Sequence, residues 1–112
     1  MDTSNLTLDF ELMRGKATQA SDFLKTLANP DRLLLLCQLS QCEMCVSELE
    51  SAVGVKQPTL SQQLTVLRSE NLVKTRRDGK QIYYSISSQE ALSILLLLYE
   101  QFCKKKLGVK FD

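Results

Sequence analysis

Histidine does not occur anywhere in the 112 residues. A cysteine nucleophile here would therefore lack the imidazole base that usually activates it. A zinc site would lack its usual nitrogen ligands. Glycine is scarce, with four residues and no cluster of them, so no glycine-rich phosphate loop is present. No apolar run approaches the roughly 20 residues that span a bilayer; the longest, around Ile94 to Tyr99, is far shorter. The opening stretch MDTSNLTLDFELM carries Asp2, Asp9 and Glu11 but no Lys or Arg, so the basic start of a secretory signal is missing. The expectation is a cytoplasmic protein away from the membrane, with its thiols kept reduced, no cofactor and no enzymatic activity.

A chain of this length can bury one modest core, and its 44% hydrophobic content is ordinary for a globular protein. The net charge of +1 hides an asymmetry. Residues 1–55 carry four basic and eight acidic side chains. Residues 56–80 hold Lys56, Arg68, Lys74, Arg76, Arg77 and Lys80 against Glu70 and Asp78. A basic patch on a nearly neutral protein is the electrostatic footprint of nucleic-acid binding, although a solvated charged loop has the same composition.

Apolar residues at Met13, Ala17, Ala20, Leu24 and Leu27 recur at spacings of three and four, which predicts one face of an amphipathic helix. Asn29 suits a helix cap, Pro30 a first helical position, and Asp31 the positive end of the helix dipole. The helix that follows, DRLLLLCQLS, is apolar nearly all round and needs cover from several neighbours or another subunit. Ser47 and Glu50 fit a capping box that opens a third helix, SELESAV. Gly54 suits the left-handed position past its end.

A fourth helix starts near Pro58, with Leu60, Leu64 and Leu67 facing inward. Its other faces present Thr59, Ser61, Gln62, Gln63 and Thr65, small hydroxyls and amides suited to base edges. Gln57 and Arg68 flank them. Alternating residues from Val73 to Arg77 and from Gln81 to Ile86, around Asp78-Gly79, predict a hairpin with Arg76, Arg77 and Lys80 at its tip. Ser87 and Glu90 repeat the capping pattern and open a long helix to about Lys106. Leu92, Leu96, Tyr99 and Cys103 form one stripe of it. The expected division is an N-terminal arm over 1–12, one domain over 13–106 and a tail over 107–112.

The blocks LKTLANPDRLLLLCQL at 24–39, SELESAVGVKQPTLSQQLTVLRSENLV at 47–73 and RRDGKQIYYSI at 76–86 resemble the ArsR/SmtB family of bacterial transcriptional repressors over about residues 14 to 104. The resemblance implies a mainly α winged helix-turn-helix: four helices, a two-stranded β wing and a fifth helix. It implies a homodimer joined through the first and last helices, with Leu92, Leu96 and Tyr99 at the interface. It also implies a double-stranded operator with two-fold symmetry. Thr59, Ser61, Gln62 and Gln63 would lie toward the major groove, Arg76, Arg77 and Lys80 toward backbone or minor groove, and Gln57 and Arg68 would also bind DNA.

Within the family the chain is most similar to the BigR/HlyU/SqrR-type sulfur and redox sensors, which pair a cysteine in the second helix with one near the end of the fifth. Cys37 and Cys103 occupy those positions. The resemblance implies a switch thrown by sulfane sulfur or an oxidant. Lys104, Lys105 and Lys106 follow Cys103, and nearby cations favour thiolate, while the helix C-terminus opposes it. A metalloid or soft-metal sensor stays open as the alternative. The family's CVC element matches Cys45-Val46-Ser47 here, with Ser47 replacing the second thiol. Cys42 precedes Cys45 at C-x-x-C spacing, and with a third thiol the pair could bind As(III) or a soft divalent ion.

Overall fold

Asp9 starts the first helix. Its carboxylate accepts the backbone N–H groups of Glu11 (3.0 Å) and Leu12 (3.2 Å), filling two of the donors that a helix start leaves open. Helix α1 thus spans Phe10–Leu27 in the computed structural model, which describes residues 7–104. The expected arm is shorter than 1–12 because Asp9 recruits residues 10–12 into the helix. Residues 1–6, the expected tail over 107–112 and the end of the domain at 106 lie outside the described residues.

Asn29 caps α2, Pro30–Leu39, by accepting the Arg32 N–H at 3.0 Å, with Pro30 at the first helical position. Strand β1, Met44–Cys45, leads directly into α3, Val46–Val53. Gly54, at φ 82°, ends α3 in the left-handed region, where a side chain would be strained. Helix α4, Thr59–Ser69, is followed by the antiparallel strands β2, Val73–Asp78, and β3, Gln81–Ile86. Asp78 pairs with Gln81, so Gly79 and Lys80 form a two-residue turn, with Gly79 at φ 66°. Helix α5, Gln89–Tyr99, continues into a π-helical turn over Glu100–Lys104.

Three local expectations need correction. The sheet has three strands in the order β1-β3-β2, because Met44 pairs with Tyr84 and Cys45 with Tyr83. A two-residue strand is too short for its alternation to be read. The third helix is entered two residues earlier than Ser47: the Cys45 N–H donates to the Glu48 carboxylate at 3.0 Å. The fifth helix is capped by Ser88, whose hydroxyl accepts the Ala91 N–H at 3.0 Å. Ser87 instead donates its hydroxyl to the Asn71 carbonyl at 3.3 Å.

Leu35, Leu36 and Leu39 of α2 meet Leu49 of α3, Leu60, Leu64 and Leu67 of α4, Leu72, Val73 and Ala91 in one buried cluster. Each leucine contributes on the order of 1.5–3 kcal/mol by leaving water, which fixes the helix-turn-helix against α2. Helix α1 is different. Of its expected apolar row only Leu27 is buried, while Met13 and Leu24 are exposed. Only the C-terminal end of α1 meets the core, through Leu27 and the half-buried Phe23; the rest of its apolar row stays open in the single chain.

Candidate nucleic-acid interface and thiol groove

With Leu60, Leu64 and Leu67 locked inward, helical geometry turns Ser61, Gln62, Thr65 and Arg68 to the open side, and all four are exposed. Pro58 supplies no side-chain cap, and the Gln57 carbonyl oxygen fills that role by accepting the Ser61 N–H at 3.0 Å. Gln57 thus orders the start of α4, although it too is exposed. Thr59 is half-buried. The Thr65 hydroxyl donates back to the Ser61 carbonyl at 2.9 Å. Gln63 departs from the group: it is half-buried, and its side-chain carbonyl accepts from Arg32 Nη1 at 2.8 Å. Sequence spacing grouped Gln63 with the residues suited to base edges; the tertiary structure turns it toward α2.

The wing divides its three cations. Arg76 Nε donates to both carboxylate oxygens of Glu43, at 2.9 and 3.0 Å. Its guanidinium also lies 4.8 Å from the centroid of the Tyr83 ring, the residue it pairs with across the hairpin. The Arg76 hydrogen bond holds the Glu43 carboxyl below the usual carboxylate range, and the same bond raises Arg76. Desolvation raises the Tyr83 hydroxyl. Arg76 therefore staples the wing to the loop before β1, with its charge balanced. Arg77 and Lys80 are exposed, and neither forms an ion pair among the described residues. Arg77 donates only to the Gly79 carbonyl, at 3.3 Å. Glu43 was missed in the sequence because its link to Arg76 spans 33 positions; Tyr83 was within reach of the predicted hairpin, whose register sets it opposite Arg76.

A second site lies on the far side of α2. Cys37 on α2 and Cys103 on the π-helical turn are both exposed, and both line one groove of about 350 Å³. Its walls are Leu33, Leu34, Leu95, Leu98, Tyr99 and Phe102, with no charged side chain. Lys104 is paired with Glu100 at 3.3 Å, so its charge is balanced; Lys105 and Lys106 lie outside the described residues.

The other two thiols are arranged differently. Cys42 is exposed, while Cys45 is buried, with its sulfur 3.4 Å from the Ser47 hydroxyl. Among the described residues no three His, Cys, Asp or Glu side chains gather as a metal set. No helix described is long and apolar enough to cross a membrane.

Large apolar side chains remain uncovered on two helices. Phe10, Leu12, Met13 and Leu24 are exposed on α1. Leu96, Leu97, Tyr99 and Phe102 are exposed along α5 and its extension, and Leu92 is half-buried. Of the three expected interface residues, the structure leaves Leu96 and Tyr99 open.

A short helix, a glycine-ended turn, a second helix with an open polar face and an adjoining basic hairpin together define a winged helix-turn-helix transcription regulator. The chain belongs to the arsR family of bacterial regulatory proteins, whose profile matches residues 29–75. It is 48% identical over 91 residues to the biofilm growth-associated repressor of Agrobacterium fabrum, covering 81% of this chain and 78% of that protein. The crystal structure of the transcriptional repressor BigR from Xylella fastidiosa superposes with a TM-score of 0.81 at 45% identity, covering 86% of this chain and 98% of that one. Reduced HlyU from Vibrio cholerae superposes with a TM-score of 0.77 at 36% identity, covering 83% and 98%. Regulators of this family bind DNA and act as dimers.

Proposed function

We propose that this chain is a homodimeric repressor that holds a two-fold operator while its thiols are reduced and releases it when sulfur bridges Cys37 and Cys103. The observation that carries this reading is that both cysteines, far apart in sequence, line the same apolar groove between α2 and the last helix. Sulfur atoms added between the two thiols span a gap wider than a plain disulfide tolerates. The relatives named as repressors support the transcriptional part.

The chemistry needs only a persulfide, RSSH. One cysteine thiolate takes the terminal sulfur and RSH leaves after protonation. The other thiolate attacks the inner sulfur of the new cysteine persulfide and displaces hydrosulfide, leaving a disulfide. If both cysteines have first been loaded, the same displacement leaves a trisulfide. The two cysteine sulfurs are oxidised and the sulfane sulfur is reduced to sulfide. A small-molecule disulfide reaches the plain disulfide by two exchanges, with two thiols leaving.

The bridge ties α2 to the last helix. The open stripes of α1 and α5 supply the surface on which a second copy docks. A shift at that interface changes the separation of the two recognition helices, which half-sites hold near one helical turn of DNA or a multiple. Coupling of about 1–3 kcal/mol, roughly 5–150-fold, is enough to vacate an operator. In the bound state Ser61 and Gln62 face base edges, with Gln57, Thr59 and Arg68 around them, while Gln63 is held by Arg32, Arg77 and Lys80 hold phosphates and Arg76 sets the wing.

The test measures operator affinity alongside intact mass and a peptide map, before and after persulfide. Wild type gains a Cys37–Cys103 linkage and releases DNA. Cys37→Ser and Cys103→Ser bind when reduced but do not release, whereas Cys42→Ser and Cys45→Ser respond as wild type. Release triggered by As(III), and lost only with changes at Cys42 or Cys45, overturns this reading in favour of a metalloid sensor.

A further inference from the structure

Arg32 joins three helices through one side chain. It belongs to α2, one turn and a half before Cys37. Its Nε donates to the Thr26 carbonyl at 2.6 Å and its Nη2 to the Lys25 carbonyl at 3.3 Å. These carbonyls are in the last turn of α1, where a cation is favoured; that of Lys25 also accepts the Ala28 N–H at 3.2 Å. The remaining arm, Nη1, donates to the Gln63 side-chain carbonyl on α4 at 2.8 Å. The planar fork can make all three contacts at once; an ammonium group on a flexible stem does not reproduce that geometry.

We infer that Arg32 is a positioning residue for operator recognition: through Gln63 it sets the roll of the recognition helix relative to α1 and α2. The three buried leucines of α4 hold that helix against the core, but leucine contacts are non-directional and tolerate small rotations. The Arg32–Gln63 bond supplies a direction on the flank next to Gln62. When it is lost, α4 keeps its place but Ser61 and Gln62 lose their fixed approach to the groove. Because Arg32 and Cys37 share α2, the same contact transmits movement of α2 to the recognition helix when the thiols are bridged. That second role rests on the thiol-switch reading above; the first does not.

A double-mutant cycle on the reduced, full-length protein tests the inference. The variants are Arg32→Lys, Gln63→Met and the pair, read by fluorescence anisotropy on operator and on random DNA. Arg32→Lys preserves the charge, and Gln63→Met preserves the size but removes the acceptor. Each single change lowers operator affinity by about 10-fold, and the double variant is no worse than the weaker single, since both remove one interaction. Random-DNA binding, which follows charge, stays near wild type. Arg32→Lys combined with the distant Arg77→Ala gives additive losses.

An additive Arg32–Gln63 cycle, or single variants that bind operator like wild type, overturns the inference. If Arg32→Lys does not fold, Gln63→Met decides alone: retained operator affinity overturns the inference, and weakened operator binding at unchanged random-DNA binding supports it. Wild type that forms no Cys37–Cys103 bridge defeats the thiol switch, while the reduced-state cycle still decides the positioning role.

Discussion

The helix-turn-helix and the first helix contrast sharply, although both carry apolar rows at helical spacing. In α4 the row Leu60, Leu64 and Leu67 is buried. In α1 the row stays open apart from Leu27 at its end, and α5 adds exposed Leu96, Leu97 and Tyr99. The same pattern thus serves two purposes. One row closes the core of a single chain and makes its polar face rigid. The other stays open in the single chain. A single subunit contains a complete DNA-reading element, but not the spacing between two of them.

The comparison can be broken most strongly at its buried end. Leu64→Ala removes a side chain from the closed core and should cost about 2–5 kcal/mol of stability, measured by urea unfolding at fixed protein concentration. An equal loss from Leu96→Ala, in monomer as in dimer, would erase the distinction between the two rows. At the open end, Leu96→Asp should weaken self-association by about 30-fold or more, as expected of a central interface residue. Sedimentation would show monomer, while circular dichroism retains its helical signal. Wild type sedimenting as a monomer at micromolar concentration would leave the open stripes unexplained.

The contrast also holds among the polar residues of α4 and the wing. Gln62→Ala removes an exposed amide that no described neighbour occupies, and it should cost about 1–3 kcal/mol of discrimination between operator and its variants. On the wing, Arg77→Ala should reduce the slope of log affinity against log salt by about 1. Arg76→Ala should change that slope less, since Glu43 already balances its charge; equal slope changes would refute the division of labour. The smallest effect concerns pH. Glu43 has a depressed carboxyl pKa in the folded protein, so its contribution is present above the unfolded value and disappears as pH falls through the folded one. The Tyr83 ring signals in NMR should shift as acidification passes below the ordinary carboxylate range, and Glu43→Gln should abolish that titration.

What could be read along the chain was what depends on near neighbours. Asn29 capping α2, Gly54 ending α3 and the turn at Gly79 are decided within a few residues by side-chain acceptors and by backbone freedom. The inward face of α4 follows from spacing alone. The cap of α5 moved by one position because Ser87 and Ser88 offer equivalent acceptors, and that of α3 moved by two because Glu48 accepts the Cys45 N–H where β1 ends. The third strand was invisible, since two residues carry no period.

The site itself was legible only in part. Residue types named Gln62, Arg77 and the four cysteines, and family likeness singled out Cys37 with Cys103. Whether a polar side chain faces DNA or a neighbouring helix was not legible: Gln63 meets Arg32 across 31 positions and Arg76 meets Glu43 across 33. Such contacts depend on how elements pack, and packing is a property of the whole core rather than of any local window. By itself the sequence determined the helices, the hairpin, their order and their chemistry, but not the two-residue strand β1. The tertiary structure decided which polar groups were left open, which were engaged inside the molecule, and that two distant thiols share one groove, because those outcomes require distant segments to be brought together.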